Sequence, residues 1–390
     1  LTYLICFCML KSLCHSNVIG GHWNWASNIS YNSLKNFKIE VTKHGFTHVD
    51  APAHMIQNGK SLSDCGLDLL CGWAKIIDVS ECLGDKPITR KILENKIKHV
   101  TSGDIVILKS NLNEIYPNTS EEYWMNSPFL EDSGSNLLVS KNIKSLIFDF
   151  PQDRAAKDLQ HRVVMNKEFT EHQIVLGADV MHVEHVINLE MIENDEIFIC
   201  ALPIKLPNAD GGNCTPISIQ GLNRKEHSIT DHSKNMINND LFKSFLTLSF
   251  DKGDQVQETG FLLSGITHTM FIASDHRCYK EMFDKLVIDE FEIVNNLSEI
   301  KKEDKEALII NNNEIDFKIL LQKIKNKKIK ILCLSNQPNL DEINELHKYV
   351  SKIFINLENL EEINPNSKII FGILKIDKSN IAPARIISIS

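Results

Sequence analysis

A mixed α/β fold in two tandem copies is what this sequence predicts, on three observations. Short apolar runs of strand length recur along the chain, stretches with helical spacing lie between them, and the second half repeats segments of the first in the same order. At 390 residues the chain is also too long for one ordinary domain of roughly 100–200 residues. It divides into an N-terminal apolar piece (1–27), a first copy (28–219), a linker (220–243) and a second copy (244–390).

The first piece, LTYLICFCMLKSLCHSN, holds an apolar run too short for a bilayer, which needs about 20 residues. It reads as the tail of a signal peptide or as a strand at a truncated start. No other segment approaches membrane-spanning length. Strands are expected at FKIEV (37–41), AKIIDV (74–79), DIVILKS (104–110), SLIFDF (145–150) and EIFICALPIKL (196–206). ITRKILENKIKHV (88–100) reads as a helix with Ile88, Ile92, Leu93 and Ile97 on one face. In EFTEHQIVLGADVMHVEHVINLEMI (168–192) a helical turn through His172 ends on a Gly177 C-cap, and a strand then points His182 and Glu184 to one face. QGLNRKEHSITDHSKNMINND, which follows the first copy, is polar and aperiodic, as a linker is.

The repeat rests on four echoes. GFTH (45–48) returns as GITH (265–268), and NIKSLIFDFPQ (142–152) as KIKILCLSNQP (328–338). VEHVINLEMI (183–192) returns as INLENLEEI (355–363), and LPIKLPNADGGNCTPISI (202–219) as GILKIDKSNIAPARIISI (372–389). The first echo lays Ser264 on His44, His268 on His48, Met270 on Asp50 and Ser274 on His54.

Those four positions are the chemical focus. TKHGFTHVDAPAHM (42–55) resists a helix because of Gly45, the β-branched Thr47 and Val49, and Pro52. The four polar positions share parity, so an extended chain points them one way. Straight, it would spread His44 and His54 over roughly 33 Å at about 3.3 Å per residue, so the chain must bend at Gly45 and Pro52. Converging imidazoles and a carboxylate suit Zn²⁺, with Mn²⁺ or Fe²⁺ as second choices. The bland alternative for this loop is histidines that cap backbone groups; His161, His182 and His185, taken alone, read as surface or core groups rather than ligands.

Composition narrows the partners. The formal charge is −9, from 42 basic and 51 acidic residues, with no arginine-rich stripe, which excludes nucleic acid as a partner class. A small molecule is the expected partner, and no membrane is. The ten cysteines form no CxxC pair and read as free thiols in a reducing, cytoplasmic setting, with secretion the alternative if the apolar start is a signal peptide.

The cluster, as His44-Gly45-Phe46-Thr47-His48-Val49-Asp50-Ala51-Pro52-Ala53-His54, resembles the H-x-G-T-H-x-D-x-P-x-H signature of the cyclase family, which includes bacterial-type kynurenine formamidases. His172, Glu184 twelve residues on, the Asn188-Leu189 pair and LPIKLPNADGGNCTP (202–216) match its later elements. The resemblance implies swivelling β/β/α domains, usually with two zinc ions. It implies that His44, His48 and Asp50 bind the first ion, that Asp50 also reaches the second, which His172 completes, that Glu184 bridges the two, and that His54 is the general acid/base. It also implies a substrate-contacting tryptophan near the N-terminus, here Trp23 or Trp25. Phe46 departs from the family's glycine. The implied reaction is hydrolysis of N-formylkynurenine to kynurenine and formate. The alternatives are a hydrolase of a cyclic amide or isatin-like ring, and a non-catalytic binding protein. The second copy is expected to pack on the first as an intrachain pseudo-dimer, with a homo-oligomer the other possibility.

Overall fold

The computed structural model describes residues 10–12, 27–30, 38–45, 47–118, 120–219, 222, 227–234, 243–245, 260–264, 269–282, 286–301, 305–373 and 381–390. Trp23 and Trp25 lie outside the described residues, as do Phe46 and the echo segment 265–268.

In the first half the strands are β1 (Leu10–Ser12), β2 (Ser27–Ser30), β3 (Lys38–Thr42), β4 (His48–Asp50), β5 (Cys71–Asp78) and β6 (Pro87–Ile88). They continue as β7 (Ile105–Lys109), β8 (Phe129–Leu130), β9 (Ser145–Phe148), β10 (Met181–Glu184), β11 (Glu196–Pro203) and β12 (Gly211–Ile219). The helices here are α1 (Arg90–Lys96), α2 (Leu112–Ile115), α3 (Glu121–Met125), α4 (Asp132–Val139) and α5 (Thr170–Leu176). All five strands expected in this half are present, within a few residues. The helix expected over 88–100 is shorter, because Ile88 pairs with Leu130 in the β6–β8 ribbon.

The main sheet runs β1-β12-β11-β5-β7-β9-β10-β4, and β4 pairs again with β12, so the sheet closes into a barrel. Within its parallel run β7 and β9 are buried on both faces, as parallel strands covered on both sides must be. Ile105 and Ile107 join one apolar cluster, while Val106 and Leu108 join another with Leu93 of α1, Leu138 of α4 and Val175 of α5. β4 is the strand that closes the barrel, and it carries His48 and Asp50.

In the second half the strands are β13 (Ile229–Asp231), β14 (Lys243–Phe245), β15 (Gly260–Ser264), β16 (Met270–Ala273), β17 (Val287–Ile288) and β18 (Phe291–Val294). Next come β19 (Ala307–Ile310), β20 (Ile331–Leu334), β21 (Lys352–Ile355), β22 (Lys368–Ile373) and β23 (Ile381–Ile389), with helices α6 (His276–Met282), α7 (Phe317–Ile324) and α8 (Leu340–Leu346). The sheet order is β17-β22-β23-β16-β21-β20-β19-β18, with β13 on β23. If β17 and β18 together take the place of β5, each adjacency has the sense of its counterpart in the first sheet: β18 to β21 parallel, the rest antiparallel. β13, which falls inside the segment expected to be a linker, pairs with β23 as β1 pairs with β12.

Hydrogen bonds fix the correspondence more finely. Thr47 Oγ1 donates to the carbonyl of His185 at 2.7 Å, and Thr269 Oγ1 donates to that of Asn356 at 2.7 Å. Both acceptor residues sit at positive φ, 52° and 58°. The N–H of Cys214 reaches Thr47 O, and that of Ala384 reaches Thr269 O, each at 3.1 Å. Thr269 therefore stands where Thr47 stands, and the first sequence echo is displaced by two residues. Met270, not His268, occupies the place of His48, and Ile272, not Met270, that of Asp50. The residues that follow Thr269 at these two places are apolar, so the short GxTH likeness two residues earlier is the stronger match in sequence.

The halves are joined by a four-stranded sheet, β14-β15-β3-β2, in which β3 and β15 pair antiparallel with Glu40 opposite Leu262 at the centre. One apolar cluster also runs from Val49 in the first half to Ile389 in the second. Among the described residues no helix is long and apolar enough to cross a membrane.

Candidate metal centre

The site lies on the helix-covered face of the barrel. In the β10–β9 register His182 pairs with Leu146 and Val183 with Ile147, so His182 and Glu184 share the face of Leu146 while Val183 turns to the other cluster. In the β10–β4 register Asp50 faces His182 and His48 faces Glu184. Four polar side chains therefore interrupt a face that is otherwise apolar, and burying them needs compensating partners. α5 brings His172 onto this face from above. The chain bends after β4 into a 3₁₀ turn, Pro52–His54, with proline at its start, and this turn folds His54 back over the others.

The expected residues do converge. His44 Nδ1 lies 2.7 Å from Asp50 Oδ1, and His48 Nε2 lies 3.2 Å from the same oxygen. His172 Nε2 lies 3.2 Å from Glu184 Oε1 and 3.7 Å from Asp50 Oδ2. His54 stacks on His44 with ring centroids 3.8 Å apart. Donor atoms of His44, His48 and Asp50 lie within 4.8 Å of one another, and so do those of Asp50, His172, His182 and Glu184. Asp50 belongs to both groups.

The donor set fits divalent cations. His44 Nε2, Asp50 Oδ2, His54 Nδ1 and both ring nitrogens of His182 are buried without a hydrogen-bond partner, although carboxylate oxygens stand near them. Close approach without hydrogen-bond alignment is what ligands arranged around an ion present. His172 Nδ1 donates to Asp153 Oδ2 at 2.7 Å, which turns the lone pair of Nε2 toward Asp50 and Glu184. Asp153 also accepts the His172 N–H at 3.1 Å, tying the ring to the first turn of α5.

Electrostatics separate the stacked pair. Burial pushes the His44 imidazole down, but the Asp210 and Asp50 carboxylates outweigh it and hold it at about 9. Burial, reinforced by the charge on His44, lowers His54 to about 4. Burial and the Asp50 charge work to raise Glu184, yet His172 and His48 bring it to about 2. Asp50 is held well below the usual carboxylate range by His48, His54, His172 and His44 against its burial.

Several residues here carried no sequence expectation of a role. Asp210 pairs with Lys43 and lies 3.2 Å from His44 Nε2 and 3.8 Å from His54 Nδ1. The ADG triplet of the closing element was its only signal. Gly211, next to it, is required: a Cβ there would come within 2.5 Å of His44 Cε1 and 2.6 Å of Val49 O. Gln152 donates to Glu184, and Asp153 and Glu171 stand behind the histidines. The bland reading holds for His161, which is exposed. His185 is a buried core histidine whose Nδ1 lies 3.0 Å from the Tyr123 hydroxyl, with its ring 6.1 Å from that of His48, and His182, also buried, lies among the donor atoms of the second group. The cleft over the site, about 80 Å³, is walled by Met55, Trp124, Pro151, Leu159 and Phe169.

Residues 12–152 match the family model described as "Putative cyclase". The kynurenine formamidase of Bacillus cereus is 27% identical over 188 residues, covering 48% of this chain and 81% of the relative. That of Bacillus mycoides matches at the same identity and coverage. A solved structure described as a potential metal-dependent hydrolase with cyclase activity is 18% identical, covering 55% of this chain and all of its own, with a TM-score of 0.46.

Proposed function

We propose that this chain is a metal-dependent amide hydrolase that deformylates an N-formyl arylamine, converting N-formylkynurenine to kynurenine and formate. The observation that carries the proposal is the pair of donor groups sharing Asp50, with His54 stacked beside the first. The cyclase-family match of residues 12–152 and the kynurenine formamidases at 27% identity support the reaction class.

In this reading His44, His48 and Asp50 hold one ion, and Asp50, His172 and Glu184 hold the other. The mixed nitrogen and oxygen donors favour Zn²⁺, with Mn²⁺ second. Bound there, two divalent ions supply a water of lowered pKa and a Lewis acid for the amide carbonyl. His54, neutral at pH 7, accepts the proton of the attacking water and returns it to the arylamine nitrogen as the C–N bond breaks. Asp210 stands beside both His44 and His54 and orients the stacked pair. Trp124, Phe169 and Leu159 offer an apolar wall for the aryl group and exclude water from it.

The C-terminal half is read as a second copy of the same domain that has lost the site. The matching strand order supports this reading, with the copies running from about β1 to β12 and from β13 to β23. It packs on the first copy as a built-in partner. Free thiols at Cys65, Cys71, Cys82, Cys200, Cys214, Cys278 and Cys333 support a cytoplasmic setting.

The test is metal analysis of the purified chain together with turnover of N-formylkynurenine. About two ions per chain, and formate release that stops on chelation and returns with Zn²⁺, are expected. A metal-free chain, or hydrolysis indifferent to chelators, would sink the proposal.

A further inference from the structure

Resting on the two-ion reading, we propose that His182 is a ligand of the second ion, which four protein groups then hold: Asp50, His172, His182 and Glu184. Glu171 is the residue that positions His182.

The geometry comes first. Donor atoms of these four residues lie within 4.8 Å of one another. His182 Nδ1 faces the group, 3.9 Å from Glu184 Oε1, and Nε2 faces away, 3.2 Å from Glu171 Oε1. His172 has the same arrangement, with its outer nitrogen on Asp153 and its inner nitrogen toward Asp50 and Glu184. A carboxylate behind an imidazole is the usual support of a metal-bound histidine, since it sets which nitrogen carries the proton. The site thus contains two such pairs side by side, with the rings 4.9 Å apart and nearly perpendicular.

Burial supplies the second argument. His182 and Glu171 are both 0% exposed, and neither ring nitrogen nor either carboxylate oxygen has a hydrogen-bond partner. A histidine kept for packing would be expected to satisfy at least one nitrogen, because a buried polar atom left without a partner is destabilising. An ion on Nδ1 removes that penalty and leaves the N–H on Nε2 for Glu171.

The second half gives the third argument. By strand register Met270 and Ile272 stand at the places of His48 and Asp50, and Ile355 and Ile353 at those of Glu184 and His182. His182 is replaced by the same kind of residue as the ligands around it. A core histidine unconnected with the site would have no reason to share their fate.

The consequence is a division of labour. Four protein ligands close a coordination sphere, as in structural zinc sites, whereas three leave a position open. The ion at His44, His48 and Asp50 is then the one with room for water and substrate, and the second is an anchor.

The experiment loads the full chain with Zn²⁺ and measures ion content and affinity by chelator competition, then records cadmium NMR on the cadmium-loaded protein. The variants are His182→Leu and Glu171→Gln. Wild type is expected to hold two ions. Glu171→Gln should weaken one of them about 10- to 100-fold and leave the other unchanged. His182→Leu should release that same ion and remove its cadmium resonance, whereas Glu171→Gln should shift that resonance more than the other. A wild type with two ions, and variants that bind both with unaltered affinity and resonances, overturns the role of His182 and leaves the hydrolase reading standing. A wild type with no ion overturns both. If His182→Leu fails to fold, Glu171→Gln decides the matter: an unchanged affinity and spectrum count against the proposal.

Discussion

His44 and His54 are stacked rings with opposite electrostatic fates. The carboxylates of Asp210 and Asp50 hold His44 up at about 9 despite its burial, and burial with the neighbouring charge takes His54 down to about 4. Of the two, His54 is the one that stands outside the two Asp50-sharing groups. His54→Ala is therefore expected to lower kcat/KM about 10²- to 10⁴-fold, the usual weight of a general acid/base, while ion content stays at the wild-type value. Parallel kinetics and metal analysis separate the roles. If the variant loses an ion along with its activity, His54 is a ligand, and if it keeps full activity, it is neither. At this level His44, His48, Asp50, His54, His172 and Glu184 were all legible, because a dense polar motif on β4 and a spaced His/Glu pair survive as patterns in sequence. Asp153, Glu171, Gln152 and Asp210 were not. They act on the histidines across separations of 11 to 166 residues, and no local spacing records such contacts.

Strand patterns were read with more success than helix lengths or joints. The parallel strands β5, β7 and β9 are continuous apolar runs and announce themselves. The helix expected over 88–100 spans only Arg90–Lys96, its start given up to the β6–β8 ribbon, a tertiary pairing that overrides local spacing. The polar stretch expected to be a linker holds β13, and β13 carries Asp231 into the joint between the halves. There Arg385 Nη2 lies 3.0 Å and Lys205 Nζ 3.1 Å from Asp231 Oδ2, and Arg385 also donates to Pro203 O at 3.0 Å. Burial works to raise the Asp231 carboxyl, but Arg385 and Lys205 prevail and lower it. A depressed folded-state pKa contributes stability that is present above the unfolded value and is lost as pH falls through the folded one. Asp231→Asn should cost about 1–3 kcal/mol at pH 7, the range for a hydrogen bond to charged groups, and the difference from wild type should shrink as pH falls below about 4. Urea unfolding at a series of pH values reads both. An equal gap at pH 7 and pH 3 would show that the pair contributes nothing through charge.

At the scale of the whole molecule two large mixed sheets, the first closed into a barrel, are joined by a seam with a symmetry of its own. β3 and β15 occupy matching places in their halves, five residues each, and pair antiparallel so that Thr42 meets Gly260 and Lys38 meets Ser264 about a centre at Glu40 and Leu262. Such a register is self-complementary: a second β3 could take the place of β15 by the same two-fold operation that builds a C₂ dimer. The first half alone would also uncover the surface where Thr215 Oγ1 donates to Ile373 O and where Gly372 lies against Leu202. A chain ending at residue 225 is thus left with an unpaired strand edge and an apolar face, both of which favour association. It is expected to run as a dimer in light scattering coupled to size exclusion. A shortened chain that is a stable, metal-loaded, active monomer would mean that the second half is not a stand-in for a partner at all, and that its sheet persists for a reason other than covering the first.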